Sequence, residues 1–295
     1  MNLRRFTAIL TIALVIIMAI AIWFFPPDDD FRTGNPFWNG TKEISANYPI
    51  SPLESLSHLP SLPLGSTLIL IPYFQYTPAE LEALNSFVTR GGTLVLADDY
   101  GYGNQILEYL GLKTRFSGQP LLDPLANYKN KWFPQISHIK SSPFTSESDK
   151  LVFNHATCLT NVEAANVLAQ SSSFSFLDLN GDQTWQESEP TGSLPVISLH
   201  NLGSGQIILI ADPSLFINSM ETMEGNDSFL QNIAAITASE LLIDQSHLPP
   251  SNLHQTKNLL AKIHGSLATP LGTLGVVILA LTITMMPLWH ERRRH

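Results

Sequence analysis

The chain carries an apolar run near each end, Phe6 to Phe25 and Leu271 to Trp289, and each run has arginines on its outer side. An apolar stretch of about 20 residues is long enough to cross the hydrocarbon core of a bilayer as a helix. Arg4 and Arg5 precede the first run, and Arg292, Arg293 and Arg294 follow the second. The positive-inside bias therefore predicts a plasma-membrane protein with two spans, both termini cytoplasmic and the polar middle extracytoplasmic. The expected division is an anchor over 1–27, a linker and irregular approach over 28–64, an α/β domain over 65–248, a juxtamembrane segment over 249–267, and a second helix with a basic tail over 268–295. A cleaved signal peptide is the rival reading of the N-terminus, because Ala19-Ile20-Ala21 has the small-x-small form of a cleavage site. Against it, the run continues through Trp23, Phe24 and Phe25, aromatic residues that suit a membrane interface. Gly265, Ala268, Gly272 and Gly275 near the second run would let another helix approach closely, or simply reflect the frequency of glycine in membrane helices.

Charge describes the middle. Five of the 16 basic residues are the terminal arginines and one of the 25 acidic residues is Glu291, which leaves 11 basic against 24 acidic side chains between the runs. That balance disfavours nucleic acid or an anionic lipid surface as a partner of this segment. Its length, about 220 residues, suits one substantial core. The lone Cys158 has no partner for an internal disulfide and is too little for a cysteine-ligated metal cluster.

From Asp28 to Leu64 the chain is rich in Pro, Ser, Asn and Gly without a sustained period. Order begins at Thr67-Leu-Ile-Leu-Ile71, a continuous apolar run of the kind found in a strand buried on both faces. Thr77 then predicts a helix cap, with Pro78 at the first position and Glu80 completing a capping box. Leu81, Leu84, Phe87 and Val88 keep helical spacing, and Gly91-Gly92 ends the helix. A strand at Thr93–Ala97 and a helix at Asn104–Leu110 follow. Strand, helix, strand, helix with short joints predicts βαβ units and a largely parallel sheet. Between Lys113 and Ser148 no firm element is visible. Later strands are expected at 151–153, 174–177, 195–199 and 206–211, and a last helix from Asp227 to Ile243, capped by Asp227, with Leu241 and Leu242 on its buried side. A helix from Asn252 is expected to run on into the second span.

Three segments carry a resemblance: "GGTLVLADDYGYGNQILEYLGL" from Gly91 to Leu112, then "LDLNGDQTW", then "GSGQIILIADPSLFIN" from Gly203 to Asn218. Together they resemble an uncharacterised family of membrane-anchored prokaryotic proteins whose extramembrane domain is similar to the class I glutamine amidotransferase-like fold. The resemblance implies a flavodoxin-like three-layer sandwich, found beside MoxR-type ATPases and von Willebrand factor A-type proteins. An active amidotransferase of that class holds a nucleophilic cysteine on a Gly-x-Cys-x-Gly turn. This chain has none. Cys158 stands in His155-Ala-Thr-Cys158-Leu-Thr without flanking glycines, so it reads as a buried apolar residue more readily than as half of a reactive Cys/His pair.

Gly101-Tyr-Gly103 resembles part of a dinucleotide-binding turn, but Ile106 stands where the third glycine belongs. Asp98, Asp99 and Asp212 each fall at the carboxyl end of an expected strand, the edge where open α/β sheets place ligands. They read either as helix caps or as the lining of a ligand cleft. His58, His138, His155, His200, His247, His254 and His264 show no ligand spacing for zinc.

One segment does have ligand spacing. Asp178, Asn180, Asp182, Thr184, Gln186 and Glu189 fall at positions one, three, five, seven, nine and twelve of a calcium loop. Position six departs from the pattern, because Gln183 replaces the turn glycine. Two readings stand: a variant loop holding a structural calcium ion, or an acidic hairpin whose Asn-Gly makes the turn. The function expected overall is a non-catalytic, membrane-tethered scaffold of the cell envelope acting through envelope or membrane protein partners. The competing expectation is a small-ligand-binding or hydrolytic domain at Asp98, Asp99 and Asp212. A flat, filled edge beside exposed apolar side chains favours the first, and carboxylates around a concave pocket the second.

Overall fold

A computed structural model describes residues 3–146 and 150–292 of the chain. Two compact units are present, Met1–Pro27 with Pro250–His295, and Asp28–Pro249. The first contains α1 (Leu3–Phe24) and two C-terminal helices. Within α1 the stretch Phe6–Phe24 is long and apolar enough to cross a membrane, and none of it is buried inside the protein.

The second unit begins with α2 (Lys42–Asn47), β1 (Ile50–Leu53), β2 (Thr67–Leu70), α3 (Pro78–Thr89), β3 (Thr93–Ala97) and α4 (Asn104–Tyr109). Eight short strands follow: β4 (Arg115–Phe116), β5 (Leu121–Leu122), β6 (Gln135–Ile136), β7 (His138–Ile139), β8 (Leu151–Val152), β9 (Leu159–Thr160), β10 (Val167–Gln170) and β11 (Phe176–Leu177). The unit closes with β12 (Pro195–Leu202), β13 (Gly205–Ile210), α5 (Asn226–Ile236) and β14 (Leu241–Asp244).

One eight-stranded sheet organises it, in the order β1-β14-β2-β3-β13-β12-β10-β7. The first five strands are mutually parallel, and β12, β10 and β7 continue the sheet antiparallel. Every residue of β2, β3 and β14 is buried. Apolar side chains on successive residues are what a strand covered on both faces requires. The capping box of α3 forms as its sequence predicts: Glu80 N–H donates to Thr77 Oγ1 at 3.4 Å, and Thr77 N–H donates to Glu80 Oε2 at 2.8 Å. Leu81, Leu84, Phe87 and Val88 are the buried face of the helix. Gly92 ends it where only glycine fits, since a Cβ there would lie 2.6 Å from the Phe87 ring.

Four expectations are corrected. The segment 28–64 is not a linker: Phe31, Ile44, Leu53, Leu56 and Leu59 join the core, and β1 is an edge strand of the sheet. Side-chain amides make that irregular chain compatible with burial. Asn35 Nδ2 donates to the Asp29 carbonyl at 2.8 Å while its Oδ1 accepts from Phe37 N–H at 2.8 Å, and Asn218 Oδ1 accepts from Glu43 N–H at 2.9 Å. Secondly, the helix expected to reach Ile243 stops at Ile236, and Leu241 and Leu242 lie in β14. The run Leu-Leu-Ile-Asp fills the gap between β1 and β2, pairing in parallel with both, so long-range pairing overrides local helical spacing. Asp227 does not cap α5; it sits in the first turn, with Gly225 at the cap. Finally, the helix from Asn252 does not run straight on. It forms α6 (Asn252–Leu267), and α7 (Pro270–Arg292) departs at 84°. Pro270 lacks the N–H that would continue α6. Gly272 admits the bend, because a Cβ there would lie 2.2 Å from the Ser266 carbonyl oxygen. Among the described residues, Asn252–Leu267 and Pro270–Thr282 taken together meet the length and composition of a span. Arg293 and Arg294 lie outside the described residues.

Candidate functional site

Parallel strands bring the chemistry-bearing side chains to one edge. Asp98 and Asp99 follow directly on β3, Asp212 lies two residues past β13, and β14 ends on Asp244. Asp98, Asp212 and Asp244 are buried, at 2%, 0% and 1% exposure.

Asp98 shapes the turn that follows it. Its Oδ1 accepts from Tyr100 N–H at 2.9 Å and Gly101 N–H at 3.0 Å, and its Oδ2 accepts from Gly103 N–H at 2.6 Å. Gly103 makes room at this approach: a Cβ there would stand 3.1 Å from Asp98 Oδ2 and 3.3 Å from Leu96 and Phe116, so these neighbours would have to give by a few tenths of an ångström. Burial raises the Asp98 pKa above the usual carboxylate value, opposed by the N–H groups it accepts from. Asp212 plays the same part after β13, accepting from Asn154 N–H at 2.6 Å through Oδ2 and Ser214 N–H at 2.7 Å through Oδ1. Burial pushes its pKa up to about 8, and the nearby charge of Asp99 adds to the rise. Asp99 is half-buried, and burial together with Asp98 lifts it to about 7.

Asp244 was not visible as a site residue, because its strand reads as the end of a helix. Its Oδ2 lies 2.8 Å from His247 Nδ1, and His247 Nε2 lies 3.4 Å from Glu80 Oε1. The Tyr76 ring stacks on His247 with centroids 4.2 Å apart. His247 thus joins a carboxylate on a strand end to one in the first turn of α3, which the scattered histidine spacing gave no means of finding. Beside these groups lies an aromatic cluster. The centroids of Tyr73, Tyr100 and Tyr102 are 6.0–6.4 Å apart, and Phe31 packs on Tyr73 at 6.1 Å. Tyr100 is 64% exposed and Tyr102 47%, and Phe74 is also exposed.

Cys158 is buried, and burial pushes its thiol up to about 12. His155 stacks on Trp132 at 4.7 Å, and its Nδ1 meets Asn154 Oδ1 at 2.6 Å. The acidic loop is shaped from within. Asp178 accepts from Gly181 N–H at 2.8 Å and Gln183 N–H at 2.9 Å; Glu189 accepts from Leu179 N–H at 2.8 Å and Gln186 N–H at 3.0 Å. Asp182 accepts from Thr184 N–H, Asn180 Nδ2 and Gln186 Nε2 at 2.8–3.0 Å. Gln183 has a φ of +62°, the left-handed turn that glycine supplies in a calcium loop. Among the described residues, no three His, Cys, Asp or Glu side chains converge so as to hold a metal ion. A cavity of about 200 Å³, lined in part by Ser51, Thr237 and Leu241, lies at the other end of β14 from Asp244.

Residues 40–234 match a family described as a domain of unknown function, DUF4350. The chain belongs to that family. The match spans the edge carboxylates Asp98, Asp99 and Asp212 and stops short of β14. No curated protein matches the chain. Among solved structures, the DUF4350 chain is similar to the mmIFT52 N-terminal domain at 14% identity and a TM-score of 0.49, over 68% of this chain and 89% of that one. It is also similar to a beta-galactosidase from Bacillus circulans sp. alkalophilus at 16% identity and a TM-score of 0.36, over 58% of this chain and 22% of the enzyme. A cytoplasmic protein from Salmonella typhimurium matches at 13% identity and a TM-score of 0.33, over 65% and 78%. At these values none of the three carries an argument about fold or chemistry.

Proposed function

We propose that this DUF4350 protein is a membrane-anchored, non-catalytic interaction module of the cell envelope, and that it meets its protein partners through the carboxyl edge of its sheet. One observation supports this above the rest. The carboxylates that would have to do chemistry there are occupied as caps, Asp98 by three backbone N–H groups and Asp212 by two, while Phe74, Tyr100 and Tyr102 stand exposed beside them. Buried caps favour a filled edge, and exposed aromatic rings favour a contact surface. The buried thiol of Cys158 fits a glutamine amidotransferase-like sandwich that has kept the framework without the nucleophile. The resemblance suggests neighbours of MoxR type and von Willebrand factor A type as the partners to look for first.

The proposed topology has two spans, both termini cytoplasmic and the sheet unit outside. The arginine placement and the length of the apolar runs support it. Tags at either end that react in intact cells would overturn it, as would loss of an N-terminal tag on maturation.

A second reading has its own support. Burial raises Asp99 to about 7 and Asp212 to about 8, and the charge of Asp99 adds to the rise at Asp212, the direction of shift that an acid-base site for a small ligand would use. One experiment separates the two readings. The intact chain, used as bait in native membranes, captures its partner in the first reading, and the double variant Phe74→Ser/Tyr100→Ser loses it. Equal capture by the variant, or a hydrolytic activity abolished by Asp212→Asn, would overturn the interaction module.

A further inference from the structure

We propose that Tyr73, Tyr100 and Tyr102, with Asp99 and Asp30 beside them, form a binding site for an alkylated ammonium group. The inference rests on the reading of this edge as a recognition surface and names the chemistry recognised. A cation is drawn to the face of an aromatic ring within about 6 Å of its centroid. The three centroids are separated by 6.4, 6.4 and 6.0 Å, with the rings tilted by 53°, 33° and 46°. One cation seated over that triangle is within reach of all three rings. The rings are also held in place before any ligand arrives. Tyr100 and Tyr102 share the turn that Asp98 fixes through three N–H groups, and Tyr73 packs on buried Phe31. Such preorganisation reduces the ordering that binding would otherwise require.

Charge points the same way. The carboxylates that act on Tyr73 are Asp99, Asp30 and Asp98, and those on Tyr100 are Asp99 and Asp30. Asp99 is pushed up to about 7 by burial and by Asp98, and its charge in turn raises Asp212. A cation over the rings relieves that repulsion. A metal ion suits the place poorly, since Asp98 and Asp212 already accept backbone N–H groups and no metal-holding group forms among the described residues. An alkylated ammonium needs few hydrogen bonds and gains from ring faces, which is what the cluster offers.

The ionisable side chains around the site are Asp99, Asp98, Asp212, Asp30 and the three tyrosines. Asp99 is an anion above about pH 7, so binding strengthens as pH rises from about 6 to about 8. The test is calorimetric titration of the full chain, in phosphatidylglycerol nanodiscs, with tetramethylammonium chloride against sodium chloride at equal ionic strength. Saturable binding is expected, weakened about five-fold by Tyr100→Ala or Tyr102→Ala. Tyr100→Phe keeps it, and Asp99→Asn removes its pH dependence. In phosphatidylcholine nanodiscs, loss of binding of the free ion assigns the site to a lipid headgroup, and unchanged binding assigns it to a soluble ligand; both uphold the chemistry. No heat beyond the sodium control, or wild-type affinity in Tyr100→Ala, overturns the proposal. Failed partner capture alongside tetramethylammonium binding would overturn the interaction module alone.

Discussion

Asp98 sets the shape of the turn that carries Tyr100 and Tyr102, so its replacement is the sharpest test of how the fold builds that part of the edge. Asp98→Ala removes the acceptor for three N–H groups at once. The bond to Gly103 is buried, so that donor loses its partner where water cannot replace it, at about 1–3 kcal/mol. The bonds to Tyr100 and Gly101 are part-buried, and water recovers much of each, leaving about 0.5–1.5 kcal/mol apiece. The three share one carboxylate and do not add in full. A total of about 3–4 kcal/mol follows, a large share of the ~5–15 kcal/mol that holds a typical domain. Asp98→Asn is expected to cost less, about 1–3 kcal/mol. Its amide oxygen can keep the pair at Tyr100 and Gly101, but its NH2 then faces the Gly103 N–H, donor against donor. Urea unfolding of the full chain in detergent micelles measures both, with the midpoint compared at constant m. Equal losses for Ala and Asn, or losses below about 1 kcal/mol for both, would refute the claim that these three N–H groups make Asp98 a structural cap.

Cys158→Ser is expected to leave partner capture intact, and the thiol of the folded protein to resist alkylation until denaturant is added, because burial keeps it protonated near neutral pH; fast labelling of the native chain would contradict this. Asp99 and Asp212 both have folded pKa values raised above the usual 3.8, so the stability linked to them is full below about pH 4 and is lost as pH rises toward 7 and 8. Thermal unfolding of wild type and Asp212→Asn across that range isolates the effect, and identical pH profiles would exclude it. Asp178→Ala should cost about 1–3 kcal/mol by stripping two part-buried N–H groups of their acceptor. Because the loop satisfies itself, that loss is expected to be the same in chelator and in millimolar calcium; a rise in wild-type Tm with calcium that Asp178→Ala abolishes would establish the calcium loop instead.

The parts of the fold that were legible are those whose signals are local. β2, α3 and β3 could be read because a capping box, a helical stripe and a Gly-Gly stop fall between two continuous apolar runs, and the structure uses each as the sequence implies. β14 could not be read that way. Four apolar-rich residues after a helix carry no information about whether the chain continues to coil or crosses the sheet. The answer lies in a vacancy between β1 and β2 that only the assembled sheet possesses. β1 itself contains Pro52, which weakens any strand pattern, and is tolerated because β1 is at the edge of the sheet. The region 113–148 was illegible for the same reason: its two-residue strands pair with partners far along the chain, β4 with β9 and β5 with β11.

Misreading one strand hid half of the site. Asp98, Asp99 and Asp212 could be placed from sequence because their strands could. Asp244, His247 and the link to Glu80 could not, because they depend on β14 ending beside the start of α3. Once the three strand ends are together, the four aspartates separate by what their oxygens are doing. Asp98 and Asp212 accept from loop N–H groups, and Asp244 accepts from His247 and from Ser246 N–H at 3.1 Å. An aspartate after a buried parallel strand is therefore a folding device first: it satisfies donors that the turn into the next element leaves exposed. Asp99 is spared that work. It is the half-buried member, set between the charge of Asp98 and the open rings of Tyr100 and Tyr102. Its neighbours make the turn rigid and leave it the raised pKa, so the edge's capacity to recognise a cation depends on caps that themselves touch no ligand.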